Sequence, residues 1–223
     1  MPERAPYDLI ADQWSQERHA SGFREQPYVD RFLGLAAPGA HILDLGCGSG
    51  RPIARYLLDR GFRLTGVDAS LAMLDLARTH CPEAELIVGD MISVHLSNRY
   101  DGIIAWDSIF HIPKAEHPAL FDNLHRWLRP GAPVLLSLGG SEDEFTAPMF
   151  NVEFFYSGHA PEVSAALLRE AGFDILLSEI DDPSSRGHLA VLCRKASRTE
   201  RPAQVGDSPS HSLERNFVLR RSC

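Results

Sequence analysis

Residues 42–50 read Ile42-Leu43-Asp44-Leu45-Gly46-Cys47-Gly48-Ser49-Gly50, and this stretch decides the fold. The apolar run 41–45 reads as a strand. The glycines interrupt it, and a helix follows from about Pro52 to Arg60, with proline in the first turn, where its missing N–H costs nothing. A glycine turn between strand and helix lets backbone approach a ligand closely. The helix start adds unpaired N–H groups for an anionic end. The spacing is GxGxG, not the GxGxxG of a dinucleotide pyrophosphate site. Asp44, two residues before Gly46, would repel a pyrophosphate but can accept a hydrogen bond from a ligand ammonium. An amino-acid-bearing ligand fits this turn better than a dinucleotide.

Outward from this turn, strands and helices alternate. Residues 62–67 read as a second strand. Ser70 is a natural N-cap for a helix through His80, with Leu71, Leu74 and Ala77 inward. Strands are expected at 85–88, 101–106 and 133–138, with a helix over 114–128 that stops at Arg129-Pro130-Gly131. Residues 139–158 break the rhythm and carry an aromatic cluster. A helix over 160–171 precedes strands at 173–180 and 188–193. The short polar loop between those two strands suits a hairpin, so one of them should run antiparallel. The fold class expected is α/β: a doubly wound, mainly parallel seven-stranded sheet with one antiparallel strand near the C-terminal end and helices on both faces.

The N-terminal segment 1–38 is expected to be helical and separate from the body, 39–195. Tyr7, Ile10, Ala11 and Trp14 form one apolar stripe on a helix over 7–19, and a short helix lies near 28–35. Residues 139–159 form an insertion in the body. The tail 196–223, rich in Ser, Arg, Pro and Gly, is expected to be disordered or loosely attached.

Bulk properties narrow the function classes. The chain has 223 residues, 44% apolar and 23% charged, with a net charge of −8. That length suits one α/β domain. Such a surface repels phosphate backbones, so no nucleic-acid partner is expected. The cysteines at 47, 81, 193 and 223 form no CxxC pair, which gives zinc and redox motifs no support; a reducing cytoplasm is the default. The N-terminus lacks the apolar core of a signal peptide, and no apolar run approaches the roughly 20 residues that span a bilayer, so no membrane partner is expected.

Two further acids sit at strand ends. Asp68 closes the second strand, where its two oxygens can bind two ribose hydroxyls. Asp90 follows the third strand, where it can accept from an adenine amino group, and Met91 adds a backbone N–H and an apolar contact. After the fourth strand come Trp106, Asp107 and His111. His111 is either a general base or a histidine that caps and packs at a helix entry.

Together these motifs resemble class I S-adenosylmethionine-dependent methyltransferases of the small-molecule type, whose fold is Rossmann-like. The resemblance rests on ILDLGCGSG at 42–50, Gly66-Val67-Asp68, Gly89-Asp90-Met91, Tyr100 to Asp107, and Leu128-Arg129-Pro130-Gly131. It covers about residues 7–195 and implies S-adenosyl-L-methionine as cofactor and S-adenosyl-L-homocysteine as product. It also implies cofactor contacts from Tyr7, Trp14, Asp44, Gly46, Cys47, Gly48, Asp68, Ala69, Asp90, Met91, Trp106 and Asp107. The N-terminal helix with Tyr7 and Trp14 resembles a lid over the cofactor. The partner implied is a small-molecule methyl acceptor, taken by a monomer or homodimer. Two alternatives stay open: a non-catalytic binding or regulatory protein on the same fold, and an NAD(P)-linked oxidoreductase.

Overall fold

The structure is a computed structural model that describes residues 5–181 and 187–197. Seven strands form one sheet: β1 (His41–Leu45), β2 (Arg63–Asp68), β3 (Glu85–Val88), β4 (Gly102–Ala105), β5 (Pro133–Gly139), β8 (Phe173–Ile180) and β9 (His188–Lys195). Their order is β3-β2-β1-β4-β5-β9-β8. The first five pair in parallel, and β9 runs antiparallel to both β5 and β8. The strand order reverses between β1 and β4, and ligands of doubly wound sheets sit at such a switch point.

The central strands are continuous apolar runs because helices cover both faces. Side chains alternate between the faces. Leu43, Leu45, Ile103 and Ala105 pack with Leu120, Phe121 and Leu124 of α5 (His117–Trp127). Ile42, Ile104 and Trp106 pack on the other side with Val29 and Phe32 of α2 (Gln26–Leu33) and with Ile53 and Leu57 of α3 (Ile53–Leu58).

The N-terminal segment is a short 3-10 turn, Pro6–Leu9, followed by α1 (Ala11–Ala20), rather than one helix over 7–19. Ser70 caps α4 (Leu71–His80) as expected, its Oγ accepting from the Met73 N–H at 3.1 Å. Leu74 and Ala77 are buried, whereas Leu71 is 52% exposed and points outward, contrary to the sequence reading. As the first residue of the helix, it lies outside the stripe that meets the sheet. The expected helix over 114–128 divides into a 3-10 turn, Lys114–Glu116, and α5. The final helix, α6, spans Pro161–Glu170.

The aromatic insertion is a second, two-stranded sheet, β6 (Asp143–Met149) with β7 (Val152–Gly158). Met149 pairs with Val152, so Phe150 and Asn151 alone form the turn. Both have positive φ, 51° and 62°, the pattern of a type I′ turn. Of the expected tail, only residues 196–197 fall among the described residues.

Candidate functional site

The turn after β1 is tied to the end of β2. The Gly46 and Cys47 N–H groups donate to the Val67 carbonyl at 2.7 and 3.1 Å. The Gly48 N–H donates to Asp68 Oδ2 at 2.8 Å, and Asp68 Oδ1 accepts from the Ser70 N–H at 2.8 Å. Asp68 thus holds both the glycine turn and the start of α4. Gly46 and Gly48 have φ of +73° and +53°. A Cβ on Gly46 would lie 2.3 Å from Ser108 Cβ, so that glycine is required by packing. A Cβ on Gly48 would meet no atom within 4 Å and would project into open space. Gly48 therefore leaves room for something other than protein.

That space is a cavity of about 310 Å³ at the carboxyl ends of the parallel strands. The residues expected to contact the cofactor line it, Tyr7, Trp14, Asp44, Gly46, Cys47, Gly48, Asp68, Ala69, Asp90, Met91, Trp106 and Asp107, and so does His111. Asp44 is 3% exposed. Burial, helped by the nearby Asp68 carboxylate, pushes its carboxyl up to about 7. Burial also raises Asp68. Two desolvated acids at one end of the cleft favour a ligand that brings positive charge and hydrogen-bond donors. Asp90 is exposed, and its Oδ1 accepts from the Ile92 and Ser93 N–H groups at 2.8 and 3.2 Å, so it shapes its own turn. The Cys47 thiol is buried, and burial holds it well above its ordinary range. That leaves it un-ionised, as a small side chain filling a tight loop.

The N-terminal segment roofs the cavity. The Tyr7 ring meets Phe154, His111 and Trp14 with centroids 4.9, 5.5 and 5.9 Å away. Asp8 Oδ1 accepts from Ser70 Oγ at 2.6 Å and from the Ala72 N–H at 3.1 Å, fastening the 3-10 turn to the start of α4. Ser15 Oγ donates to Ser49 Oγ at 3.0 Å.

His111 has both ring nitrogens occupied. Nδ1 lies 2.8 Å from the Phe155 carbonyl, which can only accept, so Nδ1 carries the proton. Nε2 then accepts from the Tyr7 hydroxyl at 3.0 Å. Burial lowers the His111 pKa, which keeps the ring neutral.

Asp107 forms part of the far wall. It has φ of +53°, uncommon for a residue with a side chain, and its N–H donates to Ser137 Oγ at 2.7 Å. Arg18 of α1 pairs with Glu25 and lies 3.5 Å from Asp107 Oδ2. Beyond this wall is a second cavity of about 270 Å³, lined also by Tyr28, Asp181 and His188. Phe154 and Phe155 of the aromatic insertion also line the cleft, whereas Asp8 and Arg18 were not singled out in the sequence. Helical spacing could have placed Arg18 one turn beyond Trp14 on the same face; nothing local marks Asp8.

Comparison with known proteins follows the same line. A protein-family profile described as a methyltransferase domain matches residues 42–131. Phosphoethanolamine N-methyltransferase of Triticum aestivum is 30% identical over 174 residues, 74% of this chain and 33% of the relative. Ubiquinone biosynthesis O-methyltransferase of Pseudomonas aeruginosa is 28% identical over 60% of this chain and 61% of the relative. The chain thus spans about a third of the length of the plant relatives it matches. Among solved structures, an S-adenosylmethionine-dependent methyltransferase of Clostridium acetobutylicum superimposes with a TM-score of 0.69 at 14% identity, covering 86% of this chain and all of that one. A TehB-like methyltransferase of Corynebacterium glutamicum gives 0.66 at 20% identity, over 85% of this chain and 98% of that one. These two likenesses concern the fold, and the matched profile spans the glycine turn and the acids that follow it. The chain thus carries a match to a methyltransferase domain over residues 42–131 and shares the fold of solved S-adenosylmethionine-dependent methyltransferases.

Proposed function

We propose that this protein binds S-adenosylmethionine in the 310 Å³ cleft and methylates a nitrogen or oxygen of a small organic acceptor. The observation that carries this reading is the pairing of buried Asp44 with the open space above Gly48. A carboxylate at one end and bare backbone beside it suit an amino-acid moiety. When bound, the cofactor supplies a methyl carbon already activated by its sulfonium.

The chain's own residues bind, orient and exclude water. Asp44 accepts from the ligand ammonium. Asp68 keeps acceptor capacity for ribose hydroxyls beside its two backbone bonds. Asp90 and Met91 flank the adenine end. Tyr7 and Trp14 close the roof, and His111 positions Tyr7 by accepting from its hydroxyl. Trp106 and Asp107 face the acceptor side. Alignment of the nucleophile and exclusion of water account for much of the rate in such displacements. The acceptor is read as a small molecule because the wall formed by Phe154 and Phe155 is apolar and the net charge is negative. A nucleic-acid partner is not part of this reading. The described cysteines are free, which suits the cytoplasm. Among the described residues no helix is long and apolar enough to cross a membrane.

Calorimetry with S-adenosylhomocysteine, NAD and NADP tests the ligand. Binding of S-adenosylhomocysteine alone is expected, and binding of a dinucleotide alone overturns the proposal. A labelled-methyl assay across an acceptor panel that includes phosphoethanolamine tests turnover. Cofactor binding with no transfer across a broad panel favours the binding-protein alternative.

A further inference from the structure

Beyond the end of β4 the cleft wall holds Asp107 and His111, with Tyr7, Phe154 and Phe155 packed beside His111. Among the described residues that line the cleft, His111 is the one histidine, and both its nitrogens are taken. Nδ1–H donates to the Phe155 carbonyl, and Nε2 accepts from the Tyr7 hydroxyl. Asp107 Oδ1 is closed off from solvent, and Oδ2 lies 3.5 Å from the Arg18 guanidinium. Neither His111 nor Asp107 is therefore free to take a proton from a substrate. Asp90 is bound within its own turn, and Asp44 and Asp68 lie at the ends of β1 and β2, by the glycine turn. The arginines that line the cleft are Arg18 and Arg51. Arg51 directly follows the glycine turn. Arg18 pairs with Glu25 and adjoins Asp107, so two carboxylates share one guanidinium. Among the described residues, this wall thus offers negative charge and aromatic rings but no spare cation.

We propose that the acceptor is an amine with an apolar body and no phosphate or carboxylate group, methylated at its nitrogen. The reacting form is the neutral amine, whose proton has already passed to water. Its lone pair forms a bond to the methyl carbon as the carbon–sulfur bond breaks, and the electron pair of that bond stays on sulfur. Positive charge moves from sulfur to nitrogen, and no proton moves in the step. A hydroxyl acceptor would have to give up a proton during the transfer, which calls for a free base at this wall.

The same wall suits the charge that develops. The Asp107 carboxylate and the rings of Tyr7, Phe154 and Phe155 all line the cleft, and fixed groups of this kind stabilise a cation most where water is excluded. An acceptor phosphate or carboxylate would instead meet Asp107, with Arg18 already held between two acids. The apolar body follows from the Phe154 and Phe155 side chains beside it.

This inference rests on the methyl-transfer reading, and its test is separable from it. The full chain, loaded with S-adenosylhomocysteine, is titrated by calorimetry with probes of one shape: 2-phenylethylamine, 2-phenylethanol, 3-phenylpropionate and 2-phenylethyl phosphate. The amine is expected to bind at least about tenfold tighter than each of the others. Asp107→Asn should cut the preference for amine over alcohol at least about fivefold. Phe155→Leu, at a half-buried ring, should cut it at least about twofold and leave the alcohol unchanged. In a labelled-methyl assay, transfer is expected to arylalkyl amines and not to the matching alcohols or to phosphoethanolamine. Fluorine placed next to the nitrogen lowers the pKa of an amine that turns over, and the pH midpoint of kcat/KM should fall with it, since the neutral amine reacts. No preference for the amine, a preference untouched by Asp107→Asn, transfer to a hydroxyl compound but to no amine, or a midpoint indifferent to the amine's own pKa each overturns the proposal. A chain that binds no S-adenosylhomocysteine overturns the methyl-transfer reading instead.

Discussion

Single residues of the glycine turn separate folding from binding. Gly46→Ala drives a Cβ into Ser108 at a left-handed position, so both overpacking and backbone strain oppose it. A loss of about 3 kcal/mol is expected, seen as a Tm drop on the order of 10 °C. Gly48→Ala meets only open space, and the expected cost is about 1 kcal/mol of backbone strain. Its larger effect is on the ligand: affinity for S-adenosylhomocysteine by calorimetry should fall at least about tenfold, since the methyl group enters the cleft. Equal Tm losses in the two variants would contradict this division. Asp44 makes a second prediction. Its carboxyl is pushed up to about 7 in the folded chain, so below that pH it carries a proton that a ligand ammonium must expel. Affinity should therefore rise with pH, by up to about tenfold per pH unit, until it levels off above about 7. Asp44→Asn should flatten the profile.

At the scale of elements, the roof is held by the side-chain hydrogen bond at Tyr7, ring contacts around it, the Asp8 anchor, the Ser15–Ser49 hydrogen bond and the Arg18–Asp107 ion pair. Tyr7→Phe removes the bond to His111 and keeps the rings. The expected loss is about 1 kcal/mol, felt locally, so amides of residues 6–20 should exchange hydrogen about five times faster while the sheet is unchanged. The sheet strands were legible in the sequence because each is an apolar run bounded by turn residues. The cleft residues were legible because the ends of parallel strands are fixed by the same alternation. The β6–β7 hairpin was not, because Phe150 and Asn151 take up positive φ without a glycine to announce it. Leu71 was misplaced because helical spacing gives the stripe but not its outer limit. Asp8 and Arg18 escaped because their partners, Ser70 and Asp107, lie 62 and 89 positions away, and only the docking of the N-terminal segment brings them together.

For the whole molecule, pH sets stability through buried groups of opposite sign. The raised Asp44 carboxyl stabilises the fold fully below the ordinary carboxylate range, and this contribution is lost as pH rises through about 7. Half-buried His41 and His111 and buried His117 have lowered values, so their contribution is lost as pH falls through the ordinary histidine range. Comparing the Tm-versus-pH curve of the cofactor-free chain with that of Asp44→Asn isolates the first effect. The variant should lose the decline toward alkaline pH. The core is less forgiving: Phe121→Ala, at a side chain with no exposure beneath the sheet, should cost about 3–5 kcal/mol. The reversed direction of β9 has a consequence for how the protein can change. Parallel strands bring their last residues to the cleft, whereas β9 brings its first, His188, opposite Gly139 and to the second cavity. Residues 44–91 furnish one side of the cleft and residues 106–155 the other, under a roof from residues 5–18, so the two sides come from successive stretches of the chain. A lineage could retain its methyl donor while exchanging what it methylates, by replacing only the second stretch.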